Sequence, residues 1–130
     1  MADDFMSRLK SELDQAEHVS SERIAEIEAE LQQRPSADLW ILRGDAIQLT
    51  DGNEYDLDEA ERSYRKAIEI DPESADAYES LGEFIFAVRA EARRSLWFFR
   101  RAIDLGAGES ARSWLHAAVE DLAEDEDAEV

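Results

Sequence analysis

Apolar residues recur three and four positions apart along most of this chain. Leu39, Trp40, Leu42, Ala46, Ile47 and Leu49 follow that spacing, and so do Ala60, Tyr64, Ala67, Ile68 and Ile70. This is the period of a helix with one buried stripe, where a half-buried strand would alternate. Turn-forming residues separate the periodic stretches: Asp51-Gly52-Asn53 after the first and Asp71-Pro72-Glu73-Ser74 after the second. Two helices and a turn predict a helical hairpin. Upstream, Phe5, Leu9, Leu13 and Ala16 predict one helix, and Ile27 with Leu31 place a second over 21–34. Ser20 or Ser21 is its natural N-cap. One long helix from Asp3 to Gln33 is the alternative, because only Val19-Ser20-Ser21 argues for a break. Residues 109–123 predict a closing helix over the last exposed core face. The acidic run after it, 124–130, has almost nothing to bury and is expected to be a disordered tail.

The pattern also repeats at a fixed distance. Ser36-Ala37-Asp38-Leu39-Trp40, Ser74-Ala75-Asp76-Ala77-Tyr78 and Ser110-Ala111-Arg112-Ser113-Trp114 lie 38 and 36 residues apart. A second echo, Tyr64-Arg65-Lys66-Ala67-Ile68-Glu69-Ile70 against Phe99-Arg100-Arg101-Ala102-Ile103-Asp104-Leu105, is offset by 35. Two echoes near one period indicate a repeat architecture. The residues Trp40, Arg43, Gly44, Ile47, Ala60, Tyr64, Ala67 and Pro72, then Tyr78, Leu81, Gly82, Ile85, Ser95, Phe99 and Ala102, resemble the tetratricopeptide repeat family. Gly44 against Ala60, and Gly82 against Ser95, would let paired helices approach closely. Arg43 departs from the family, which has Leu there. The first hairpin turn is about four residues too long for the family pattern, and Gly106-Ala107-Gly108 replaces the second Pro.

The resemblance implies an all-α, right-handed superhelix of helical hairpins. It would form one domain over 1–123: a degenerate hairpin (1–35), repeat one (36–73), repeat two (74–108) and the closing helix (109–123). It further implies a concave groove lined by Asp38, Ile41, Asp45 and Gln48 in repeat one and Asp76, Glu79, Glu83 and Phe86 in repeat two. The closing helix would add Arg112, Leu115 and Val119. The family's clamp for a C-terminal carboxylate uses Lys, Asn and Arg, whereas Ile41, Asp45, Glu79 and Glu83 stand here. An acidic groove with Ile41 and Phe86 as apolar footholds favours a basic, partly hydrophobic protein or peptide partner.

Charge refines that picture. The 130 residues carry 33 Asp and Glu against 14 Lys and Arg, a formal net charge of -19. Such a field repels phosphate backbones and anionic lipid, so neither nucleic acid nor membrane is the expected partner. With only two Lys among its bases, the chain suits a high-salt cytoplasm or reflects a coding bias with ordinary acidity. The acidic N-terminus does not look like a signal peptide, which makes the cytoplasm the expected location. The one positive segment is 89–112, with six Arg against three acids. Projected at about 100° per residue, Arg93, Arg94, Trp97, Arg100 and Arg101 share the face opposite Ser95, Phe99 and Ala102. A Trp among arginines has the composition of an interaction hot spot. Arg stems or the first hairpin loop could instead cover the indole, or the acidic tail could fold back onto the arginines.

Chemistry is not signalled. There is no Cys, the two histidines, His18 and His116, belong to no metal-spaced cluster, and no phosphate-binding or nucleophile motif occurs. As a calcium loop, the segment from Asp51 would supply Asp51 and Asn53. It has Asp56 where Gly is needed and Arg62 where a bidentate Glu is needed. Asp56 or Asp58 is better read as a helix cap. These readings predict a protein-interaction module without catalytic residues, cofactor or metal, monomeric or weakly dimeric. A self-associating structural module is the first alternative; an enzyme or nucleic-acid binder using 89–112 is the remote one.

Overall fold

Four of the helices begin where a short oxygen-bearing side chain satisfies one of their first free N–H groups. A computed structural model of the chain describes residues 2–50 and 55–128 and contains seven α-helices among them. These are α1 (Ala2–Gln15), α2 (Ser21–Gln33), α3 (Ala37–Gln48), α4 (Leu57–Ile70), α5 (Ala75–Glu83), α6 (Ala92–Asp104) and α7 (Glu109–Ala128). A π-helical segment, Phe84–Val88, continues α5. Ser20, Ser36, Asp56 and Ser74 cap α2, α3, α4 and α5, each side chain accepting from the backbone N–H three residues on, at 3.0–3.2 Å. Two of the three serines in the repeated Ser-Ala motif are therefore helix starts. The third, Ser110, lies inside α7 and its hydroxyl donates to Glu79 instead.

The N-terminal stretch is two helices. Between them the Val19 N–H donates to the Leu49 carbonyl at 2.9 Å, and Val19 forms an isolated parallel bridge with Thr50. That tie and the Ser20 cap account for the break. At the other end α7 runs to Ala128, past the expected boundary at 123 and into the segment expected to be a tail. No Gly or Pro interrupts that segment, and Ala and Glu are good helix formers. The turn Asp51-Gly52-Asn53, the calcium-loop residues Asp51 and Asn53, and the last two residues of the tail lie outside the described residues.

The chain divides into two units, Met1–Pro72 and Glu73–Val130, where one domain over 1–123 was expected. The boundary falls in the Pro72 turn, between the hairpins. In the first unit Leu9, Ile24, Ile27, Leu39 and Tyr64 are almost wholly buried, with α1 and α2 packed on α3 and α3 on α4. In the second, α5 pairs with α6 and α6 with α7, around Leu81, Phe84, Ile85 and Phe99. A cluster of Ala92, Phe99 and Ala118 is completed by Phe86, Leu96, Trp114, Leu115 and Leu122.

The two hairpins share one packing device. A Cβ on Gly44 would sit 2.7 Å from two carbons of the Tyr64 ring, and one on Gly82 would sit 2.7 Å from a Phe99 ring carbon. The nearest neighbour of each glycine is thus a ring four residues beyond Ala60 or Ser95 on the partner helix. The glycines exist to seat an aromatic plate against the partner helix. The second hairpin turns tightly through Arg89, Ala90 and Glu91, with Ala90 at φ 58 and the Glu91 N–H bonded to the Ile85 carbonyl at 3.0 Å. That left-handed residue is where a glycine normally ends a helix.

Candidate functional site

The groove positions of the first unit are largely committed to its interior. Asp38 is exposed, but Ile41 is only 9% exposed. Asp45 and Gln48 both hold the Tyr64 hydroxyl, which donates to Asp45 Oδ1 at 2.6 Å and accepts from Gln48 Nε2 at 2.7 Å. Burial holds the Asp45 carboxyl above the usual carboxylate range; the Tyr64 hydrogen bond opposes this and neighbouring Asp14 adds to it. In the second unit Asp76 is exposed, while Glu79 is half-buried and accepts from Ser110 Oγ at 2.5 Å. Glu83 is half-buried too. Phe86 meets Trp114 edge to face at 5.9 Å and, with Leu115, belongs to the core cluster. Arg112 and Val119 are exposed. Of the expected apolar footholds, Ile41 is buried and Phe86 is half-buried beside the core cluster of its unit.

Sequence reasoning marked Arg43 as a departure and missed its role. The residue is 6% exposed; Nη1 donates to Ser63 Oγ at 2.7 Å, and Nη2 lies 3.2 Å from Glu59 and 3.9 Å from Glu28. Its guanidinium also sits over the Trp40 and Tyr55 rings, at 5.6 and 5.9 Å, and Tyr55 donates to Glu28 at 2.8 Å. A buried charge needs such partners to be tolerated, and Arg supplies enough donors to meet them. The available signal was Glu59 and Ser63, one turn apart on α4. Beside this network an open pocket of about 320 Å³ is lined by Leu31, Trp40, Arg62 and Lys66 among others. Its lining mixes both charge signs and selects no ligand class.

The face of α6 is different. Trp97 is 59% exposed, the largest value among the exposed large hydrophobics. Arg93, Arg94 and Arg100 are exposed around it, and Arg101 is half-buried with its guanidinium 5.7 Å from the Tyr78 ring centre. The arginine that stacks thus covers Tyr78. Trp97 meets Tyr78 edge-on at 5.8 Å and Phe98 at 5.1 Å. The indole is held from below while its outer face stays open. Projection along one helix placed Trp97 outward, but the supporting Tyr78 comes from α5 and was invisible to it.

Among the described residues no group of three or more His, Asp or Glu is placed to hold a metal ion, and no helix is long and apolar enough to cross a membrane. Residues 52–86 match a family model described as TPR repeat. No curated protein matched the chain.

Proposed function

We propose, for a chain whose TPR repeat match over 52–86 supports assignment to the tetratricopeptide repeat family, that it is a non-enzymatic protein-interaction module whose working surface is the outer face of α6. Repeats of this family generally mediate protein–protein interaction, and the module's action is passive presentation of a fixed surface by its helical hairpins. One observation carries the choice of surface: Trp97 is 59% exposed yet braced by Tyr78 and Phe98. A large aromatic held in place before binding contributes contact area with little loss of side-chain freedom, which is the character of a hot spot. The groove positions support this less, because Ile41, Asp45, Gln48, Phe86 and Leu115 are engaged within their own units.

A photo-crosslinking side chain placed at position 97, with Asp38 and Asp76 as comparison positions, tests the assignment. Crosslinking of a discrete partner protein from 97 and from neither comparison position is the expected result. Capture only from 38 or 76 would return the function to the groove. A crosslink between two copies of the purified chain would replace the reading with self-association.

A further inference from the structure

The charges around Trp97 restrict what can lie on it. Four arginines, at 93, 94, 100 and 101, occupy this side of α6, against Glu91 just before the helix and Asp104 at its end. Arg94 pairs with Glu91, Arg93 has an interaction of its own, and Arg101 is spent on Tyr78. The rim of the indole is positive on a chain of net charge -19. At physiological salt the Debye length is about 8 Å, so carboxylates farther away are screened and the adjoining arginines set the local potential. The indole offers a flat apolar face, and the guanidinium groups offer paired donors that match carboxylate geometry.

Building on the α6 assignment above, we infer that the partner segment is acidic and carries an apolar side chain, its carboxylates meeting Arg93, Arg94 and Arg100 while the apolar group covers Trp97. This is a different partner from the basic peptide that the groove positions favoured. A basic segment would bring like charge onto the arginines. A purely acidic segment would leave the indole wet, and most of the binding at a hot spot comes from its desolvation.

Fluorescence anisotropy on the full chain tests the inference with dye-labelled synthetic peptides of about twelve residues, long enough to cross one helix face. The probe is a Glu/Asp peptide with one central Phe. Its comparators replace Phe by Ser, replace every acid by Lys, or are a single-stranded oligothymidine. The Phe-bearing acidic peptide should bind tightest and weaken at least about tenfold between roughly 50 and 500 mM salt. Loss of Phe, Trp97→Ala, and the double change Arg94→Gln with Arg100→Gln should each weaken it about tenfold or more. The arginine pair is exposed, so its substitution keeps the test valid should Trp97→Ala perturb packing. Equal binding of the Lys peptide, tighter binding of the oligothymidine, or no binding of the probe up to about 1 mM overturns the inference. If position 97 still crosslinks to a protein partner after such a result, only the partner's chemistry is wrong; if it does not, the α6 assignment falls as well.

Discussion

Replacing Gly44 by Ala should destabilise the chain even though Ala is the better helix former. The added Cβ would lie 2.7 Å from two ring carbons of Tyr64, where comfortable carbon contacts are about 3.5–4.0 Å. The ring must retreat by close to 1 Å, or the helices must part. Tyr64 is 1% exposed, and its hydroxyl is tied at 2.6 and 2.7 Å, so retreat also strains those two hydrogen bonds. Overpacking of this kind costs about 1–3 kcal/mol. Weakening the hydroxyl contacts adds about 1 kcal/mol, and the gain in helix propensity returns about 1 kcal/mol. The net loss is about 1–3 kcal/mol, read as a lowered urea midpoint by far-UV circular dichroism. Gly82→Ala meets the Phe99 ring at the same 2.7 Å but strains no hydroxyl, so it should cost roughly 1 kcal/mol less. Gly108→Ala, with nothing within 4 Å of its Cβ, is the control and should be neutral or slightly stabilising. A Gly44→Ala chain as stable as wild type would refute the reasoning. So would a penalty that is unchanged in a Tyr64→Phe background.

Three further predictions follow from single features. Because Asp45 is held above its ordinary value of 3.8, the folded chain binds an extra proton between that value and the folded one; its ionised form costs stability above that window and the cost fades as pH falls through it. Asp45→Asn should therefore gain relative to wild type at neutral pH, with the advantage shrinking in urea melts on acidification toward 3.8; a difference independent of pH would contradict this. Ala90→Gly should raise the unfolding free energy by about 0.5–1 kcal/mol, read as a higher urea midpoint, since a left-handed alanine costs about 1–2 kcal/mol and glycine's extra freedom when unfolded takes part of that back. Ser36→Ala and Ser74→Ala should each cost about 1 kcal/mol as lost caps, whereas Ser110→Ala should change stability by less than about 0.5 kcal/mol.

The hairpins were legible because their signals are local and redundant. Helical spacing, the Ser-Ala starts and the Gly-and-ring pairs each repeat, so an error at one position is outvoted. What escaped depends on side chains meeting across helices. Arg43 was visible as a misfit, but its balance of Ser63, Glu59, Glu28 and two rings draws on three helices and a loop. Register arguments assign Ile41 to the groove, yet its burial depends on where the helices packed on α3 lie. The acidic end of α7 misled for another reason: composition weighs what a segment can bury, whereas a terminal helix can continue on propensity alone.

The pairing of Tyr64 with Asp45 and Gln48 has a consequence for exchanging parts of the chain. At the matching positions the second hairpin has Phe99 with Glu83 and Phe86, so each ring comes with its own company. A chimera joining α3 to α6 would strand the Asp45 carboxyl without a hydroxyl. The reciprocal join of α5 to α4 would push a phenol toward Phe86. The halves of these hairpins behave as matched lock and key, and recombination between repeats would succeed only when whole hairpins travel together.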